Sequence, residues 1–167
     1  TPRALDFLIT KKSKDLFKRH GVLNETEILA RHEIMLENYI MKVQIEARVI
    51  GDLALNHIIP TAIIYQNKLI QNANGLKGLG IKSDDIIETI EELSKHVSTI
   101  KKLTNEMVEE RKKVNKIENS RSRAIAYCDN VKDKYFDQIR YAVDKLELLV
   151  DDEDWPLVKY RELLFLR

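Results

Sequence analysis

Residues 24–58 read NETEILARHEIMLENYIMKVQIEARVIGDLALNHI, and the fold class turns on them. No proline and only one glycine, Gly51, interrupt the stretch. Apolar side chains fall at Leu36, Tyr39, Ile40, Val43, Ala47, Ile50, Ala54 and Ile58. Steps of three and four put them on one face of a helix. Asn24 stands three residues before Glu27, the pairing in which a side-chain acceptor and a carboxylate satisfy free amides at a helix start. Gly21 closes a shorter helix through Asp15, Leu16, Phe17 and Lys18. A helix of about 34 residues is about 50 Å long, which is long for a globular domain.

Working outward, Pro60 removes one backbone donor, but Thr61-Ala62-Ile63-Ile64-Tyr65 resumes helical spacing at once, so a kink is expected rather than a stop. The segment Asn72 to Gly80 gathers three of the five glycines and ends the helix, which is expected over 24–74. Ser83-Asp84-Asp85 caps the next, over 83–117. Its seam is Ile86, Ile90, Leu93, Val97, Ile100, Leu103, Met107 and Val114. A third helix, 119–150, opens on Asn119 or Ser120 and carries Ala124, Cys128, Val131, Tyr135, Ala142, Leu146 and Leu149. Asp151 to Asp154 ends it, and Pro156 at a first helical position opens a short terminal helix over 156–165. No stretch alternates like a strand. The expectation is one all-α domain: an elongated antiparallel helical bundle with a Pro-kinked first helix and short terminal helices.

Composition narrows the function. The 167 residues carry 28 Lys+Arg against 27 Asp+Glu, without the basic excess of a nucleic-acid binder. One Cys excludes a disulfide scaffold. No window approaches the ~18 consecutive apolar residues of a membrane span, so a soluble protein without a membrane partner is expected. The start at Thr1-Pro2, without Met, reads as a piece of a longer chain.

No residue pattern completes a catalytic constellation. None of His20, His32, His57 and His96 has Glu three residues before it, as a di-iron bundle requires. His32-Glu33 begins a zinc-protease pattern, but Leu36 stands where the second His belongs. Glu92 and His96 lie one turn apart and read as a surface pair. Cys128 reads as a small buried side chain. Gly75 to Lys82-Ser83 superficially resembles a phosphate loop, yet Asp84-Asp85 at the helix start would repel phosphate. The run Asp151 to Asp154 lacks the alternating ligands of a calcium loop. No catalytic, cofactor-binding or metal residue is assigned.

Two docking surfaces stand out instead. Gln44, Arg48, Asp52 and Asn56 step by four along the first helix, with His57 beside the end of the stripe; they are a hydrogen-bond ladder on a wet face or a contact for another domain. Trp155, Leu157, Tyr160, Leu163, Leu164 and Phe165 place large apolar area at the end of the chain, which folds back or anchors a partner.

The blocks Gln44-Ile45-Glu46-Ala47-Arg48, Gly51-Asp52, Asn56-His57-Ile58-Ile59-Pro60-Thr61-Ala62, Tyr65-Gln66-Asn67, Ala126-Tyr127-Cys128-Asp129-Asn130-Val131 and Leu146 to Pro156 through Lys159 to Phe165 resemble the C-terminal region of type III glutamine synthetases. His32 and Val158 depart from that pattern, where Tyr and a second Pro are expected. The resemblance implies a cytoplasmic parent enzyme that joins ammonia to glutamate with ATP and a divalent metal such as Mg²⁺, in a large homo-oligomeric double ring. It places the nucleotide, metal and glutamate residues in a catalytic domain upstream, so none carries over to this chain. The partners it implies are that catalytic domain and the other subunits, with assembly or stability as the role of the helices. A free-standing helical-bundle or coiled-coil scaffold or signalling domain is the alternative, for which mixed-charge helices are equally suited.

Overall fold

The computed structural model describes residues 2–164, with the side chains of Tyr160 and Arg161 excepted. Every regular element among them is helical: α1 Pro2–Leu5, a 3-10 turn Asp6–Ile9, α2 Lys11–Arg19, α3 Glu25–Asp52, α4 Ile59–Gly78, α5 Asp84–Val114, α6 Ser120–Ala126, α7 Asp137–Leu149 and α8 Tyr160–Leu164. Two π-helical segments, Leu53–Ile58 and Tyr127–Phe136, join α3 to α4 and α6 to α7. The all-α class follows.

The helix ends are written in the sequence. Asn24 Oδ1 accepts from the Glu27 amide at 2.9 Å while Glu27 Oε2 accepts from the Asn24 amide at 2.7 Å, a reciprocal cap that opens α3. Asn119 is the cap of α6, accepting from Ser122 N at 2.9 Å. Gly21 (φ 64°) and Gly80 (φ 74°) sit just beyond α2 and α4 in the left-handed region. At each, the paired bonds that close a helix are present: Val22 N to Phe17 O with Gly21 N to Lys18 O, and Ile81 N to Leu76 O with Gly80 N to Lys77 O.

Three boundaries differ from the sequence expectation. The first helix runs through Gly75 to Gly78, because a glycine inside a helix costs only about 1 kcal/mol and the reversal needs a single positive φ, at Gly80. Pro60 lies at the start of α4, directly after a π segment whose wider turn lets Ile59 N reach back to Ala54 O. The last helix starts at Tyr160, not at Pro156.

The chain divides into two compact units: the described residues up to Val49 with Glu106–Phe136, and Ile50–Asn105 with the described residues from Asp137 onward. The first buries Ile28, Leu36, Val43, Met107, Tyr127 and Val131. Within it, partners on α3 retreat from Gln44 to Glu37 as the chain advances from Asn115 to Arg123, so these runs are antiparallel. The second buries Ile58, Ala62, Leu93, Ile139, Leu146 and Trp155. There Gln66 Nε2 donates to Ser94 Oγ at 2.5 Å; the two are equidistant from Gly80, which makes α4 and the start of α5 an antiparallel hairpin. Each fully buried aliphatic side chain supplies roughly 1.5–3 kcal/mol.

The helical run Glu25–Gly78 contains an 18-residue window of mean hydropathy 1.2 with at most two charged side chains, long and apolar enough to cross a membrane by length and composition. A count of consecutive apolar residues misses it. A third of that window is buried inside the molecule.

Candidate functional site

The polar stripe of α3 is partly spent within the chain. Gln44 Nε2 donates to Asn115 Oδ1 at 3.2 Å, and Tyr127 OH donates to the same oxygen at 2.6 Å, so one carboxamide ties α3, the end of α5 and the segment after α6 together. Burial holds the Tyr127 phenol above its ordinary pKa, against the pull of Arg111, Arg123 and Arg48. Farther along, Asn56 Nδ2 donates to Asp52 Oδ1 at 2.6 Å. Arg48, Asp52, Asn56 and His57 are exposed. The structure thus sets Gln44 in an internal tie and leaves the other four on the surface.

The terminal cluster is also divided. Trp155 is buried in the second unit. The acidic loop before it is clamped: Asp154 accepts from Lys68 Nζ at 2.7 and 2.5 Å, Asp152 pairs with Lys159 Nζ, and that ammonium also donates to Glu147 O at 3.1 Å. Leu163 and Leu164 are exposed. Phe165 lies outside the described residues, as does the side chain of Tyr160.

Sequence reasoning missed three features. The first is a strap at the start of the chain. Arg3 binds both oxygens of Asp129 at 2.9 and 2.6 Å, and Arg121 binds both oxygens of Asp6 at 2.9 and 2.7 Å, the fork geometry that suits guanidinium and carboxylate. His32 Nε2, on a buried side chain, faces Asp6 Oδ1 at 3.5 Å. The guanidinium hydrogen bonds are the main cause holding Asp6 and Asp129 below their ordinary value. Partners more than 100 residues apart leave no local pattern to read.

The second is a side-chain cluster made by the π turn. Cys128, Asp129 and Asp133 bring their ligand atoms within 4.8 Å of one another, and Cys128 Sγ reaches Asp133 Oδ2 at 3.6 Å. An i, i+5 pair meets only where the helix is widened. The Tyr39 hydroxyl is enclosed beside them, and burial first, then the neighbouring Cys128, pushes its pKa up. Arg3 already takes both oxygens of Asp129, and three ligands fall short of a closed zinc shell, so the cluster is weak as a metal centre. The Glu92–His96 pair stands at 3.7 Å on the rim of a groove with Thr99, Leu103 and Tyr141.

The third is a row of exposed apolar side chains on α3: Ile34, Met41, Ile45 and Val49. Their spacing of seven, four and four is as regular as the core face, and periodicity alone does not say which of two apolar faces is covered.

Comparison with known proteins points to glutamine synthetases. The model of the glutamine synthetase C-terminal domain matches residues 1–77. A glutamine synthetase of Bacteroides fragilis (strain YCH46) is 45% identical over 170 residues, covering 98% of this chain. A type-3 glutamine synthetase of Dictyostelium discoideum is 27% identical over all of it, and a glutamine synthetase of Butyrivibrio fibrisolvens is 25% identical over 98%. The chain spans 23%, 23% and 24% of these relatives' lengths. The chain is thus similar along its whole length to part of known glutamine synthetases, and over residues 1–77 to their C-terminal domain.

Proposed function

We propose that these helices are the non-catalytic C-terminal domain of a type III glutamine synthetase and that they serve the assembly or stability of that enzyme. The parent polypeptide would make glutamine from glutamate, ammonia and ATP in the cytoplasm. ATP and Mg²⁺ would be held by its catalytic domain, with that domain and other subunits as the partners of this chain. The observation that carries the reading is the alignment of 98% of the chain, at 45% identity, with under a quarter of a named glutamine synthetase. The row Ile34, Met41, Ile45 and Val49 supports a docking role, since exposed apolar side chains along one helix, near the exposed Arg48, offer surface for a partner to cover. Arg48, Asp52, Asn56, His57 and Leu163 are its polar and terminal candidates.

Two measurements test it. Titration calorimetry of the chain with ATP, glutamate and Mg²⁺ should show no binding; measurable heat with saturation would sink the non-catalytic assignment. In the full-length polypeptide, Arg48→Ala with Asp52→Ala should lower thermal stability or shift the assembly toward smaller species. Unchanged values for both would reduce the stripe to a wet face.

A further inference from the structure

The chain is nearly neutral overall, yet its charges are sorted. Residues 11–20 hold five cations, Lys11, Lys12, Lys14, Lys18 and Arg19, against one anion, Asp15. Residues 79–92 hold the reverse: Asp84, Asp85, Glu88, Glu91 and Glu92 against Lys82. All five of those acidic side chains are exposed. Lys14 is engaged by Glu25 at 2.8 Å, which leaves Lys11, Lys12, Lys18 and Arg19 as the basic face of α2.

Apolar surface accompanies both patches. Beside the basic face stand Phe7, 72% exposed, with Leu16 and Val22. Beside the acidic face stand Leu79, 77% exposed, with Ile81 and Ile87. Lys11, Lys12, Asp15, Leu16 and Arg19 line a depression on α2, and Leu79 stands exposed at the turn after α4. An apolar centre rimmed by one sign of charge matches an apolar centre rimmed by the other, the arrangement by which charge fixes register and apolar burial supplies affinity.

We propose that the basic face of α2 docks on the acidic turn, residues 79–92, of a second copy of this chain. Each copy carries both halves of the contact, so the same surfaces serve a reciprocal pair or a head-to-tail series of copies. The inference rests on the assembly role proposed above and names the surface that performs it.

The test uses the full-length polypeptide. Lys11→Glu with Lys12→Glu and Arg19→Glu forms one variant; Asp84→Lys with Asp85→Lys and Glu88→Lys forms the other. Circular dichroism should report unchanged helix content, and sedimentation velocity should show each variant's association weakened about tenfold, with added salt weakening the wild type in the same direction. Mixing or combining the two reversals should restore association. A photo-crosslinker at Leu16 should capture residues 79–92 of another copy. Association unaffected by either reversal, no restoration on combining them, or a crosslink to the remainder of the polypeptide would each overturn the proposal. Deleting the whole helical domain separates the two ideas: if deletion disperses the assembly while both reversals leave it intact, the assembly role stands and this interface does not.

Discussion

At Asn115 one carboxamide oxygen takes two donors, the Gln44 amide and the Tyr127 phenol, on residues that no local window connects. Tyr127 is fully buried, so its hydroxyl needs that acceptor. Tyr127→Phe keeps the ring and its packing while removing the donor. The expected loss is about 1 kcal/mol, read as a shift in the urea midpoint with unchanged slope. Gln44→Ala, whose bond is longer and nearer solvent, should cost less. Of the sequence-derived site residues, Gln44 is the one whose role the structure sharpens most. Its spacing placed it on a stripe with Arg48, Asp52 and Asn56, but spacing reports only the face of its own helix and not which distant side chain arrives there.

At the element scale, the caps were legible because their partners lie three residues apart: Asn24 with Glu27, and Asn119 with Ser122. The seam of α5 was legible for the same reason, with Leu93, Ile100, Met107 and Val114 all buried. The π segments were not. A widened turn shifts the apolar face by one residue, and around Cys128, Val131 and Tyr135 the steps of three and four absorb that shift without a visible break. Trp155 was ambiguous as well, since a terminal aromatic reads alike whether it packs home or reaches out. Because a π turn amounts to one inserted residue, deleting exposed Asn130 should convert Tyr127–Phe136 toward α geometry and leave both flanks in register. The deletion variant should fold, with a loss of roughly 1–3 kcal/mol. Deleting Asn105, in the α-helical part of α5, rotates everything after it by about 100° and should abolish cooperative unfolding in calorimetry.

For the molecule as a whole, the strap at Arg3 and Asp6 makes the attachment of residues 2–9 dependent on pH. Asp6 and Asp129 have pKa values lowered from 3.8 by the guanidinium bonds of Arg121 and Arg3. A carboxylate that binds protons less readily when folded contributes fully above its unfolded pKa and loses that contribution as pH falls through the folded value. Hydrogen exchange of α1 and the following turn should therefore be slow near neutrality and speed up below about pH 4, after correction for intrinsic rates. Asp6→Asn should show the fast behaviour at neutral pH and a flatter acid response; an identical profile in wild type and variant would sink the strap. These pairs are solvent-facing, so high salt should loosen them too. Trp155, the sole tryptophan, lies in the interior of the second unit, whereas the first holds Tyr39, Tyr127 and Tyr135. Tyr65, Tyr141 and Tyr160 fall in the second unit, so tyrosine absorbance reports on both, and tryptophan emission is the built-in optical probe of one half of the molecule. Denaturation followed by that emission beside far-ultraviolet circular dichroism would time the second core against the helices as a whole, without a label or a substitution.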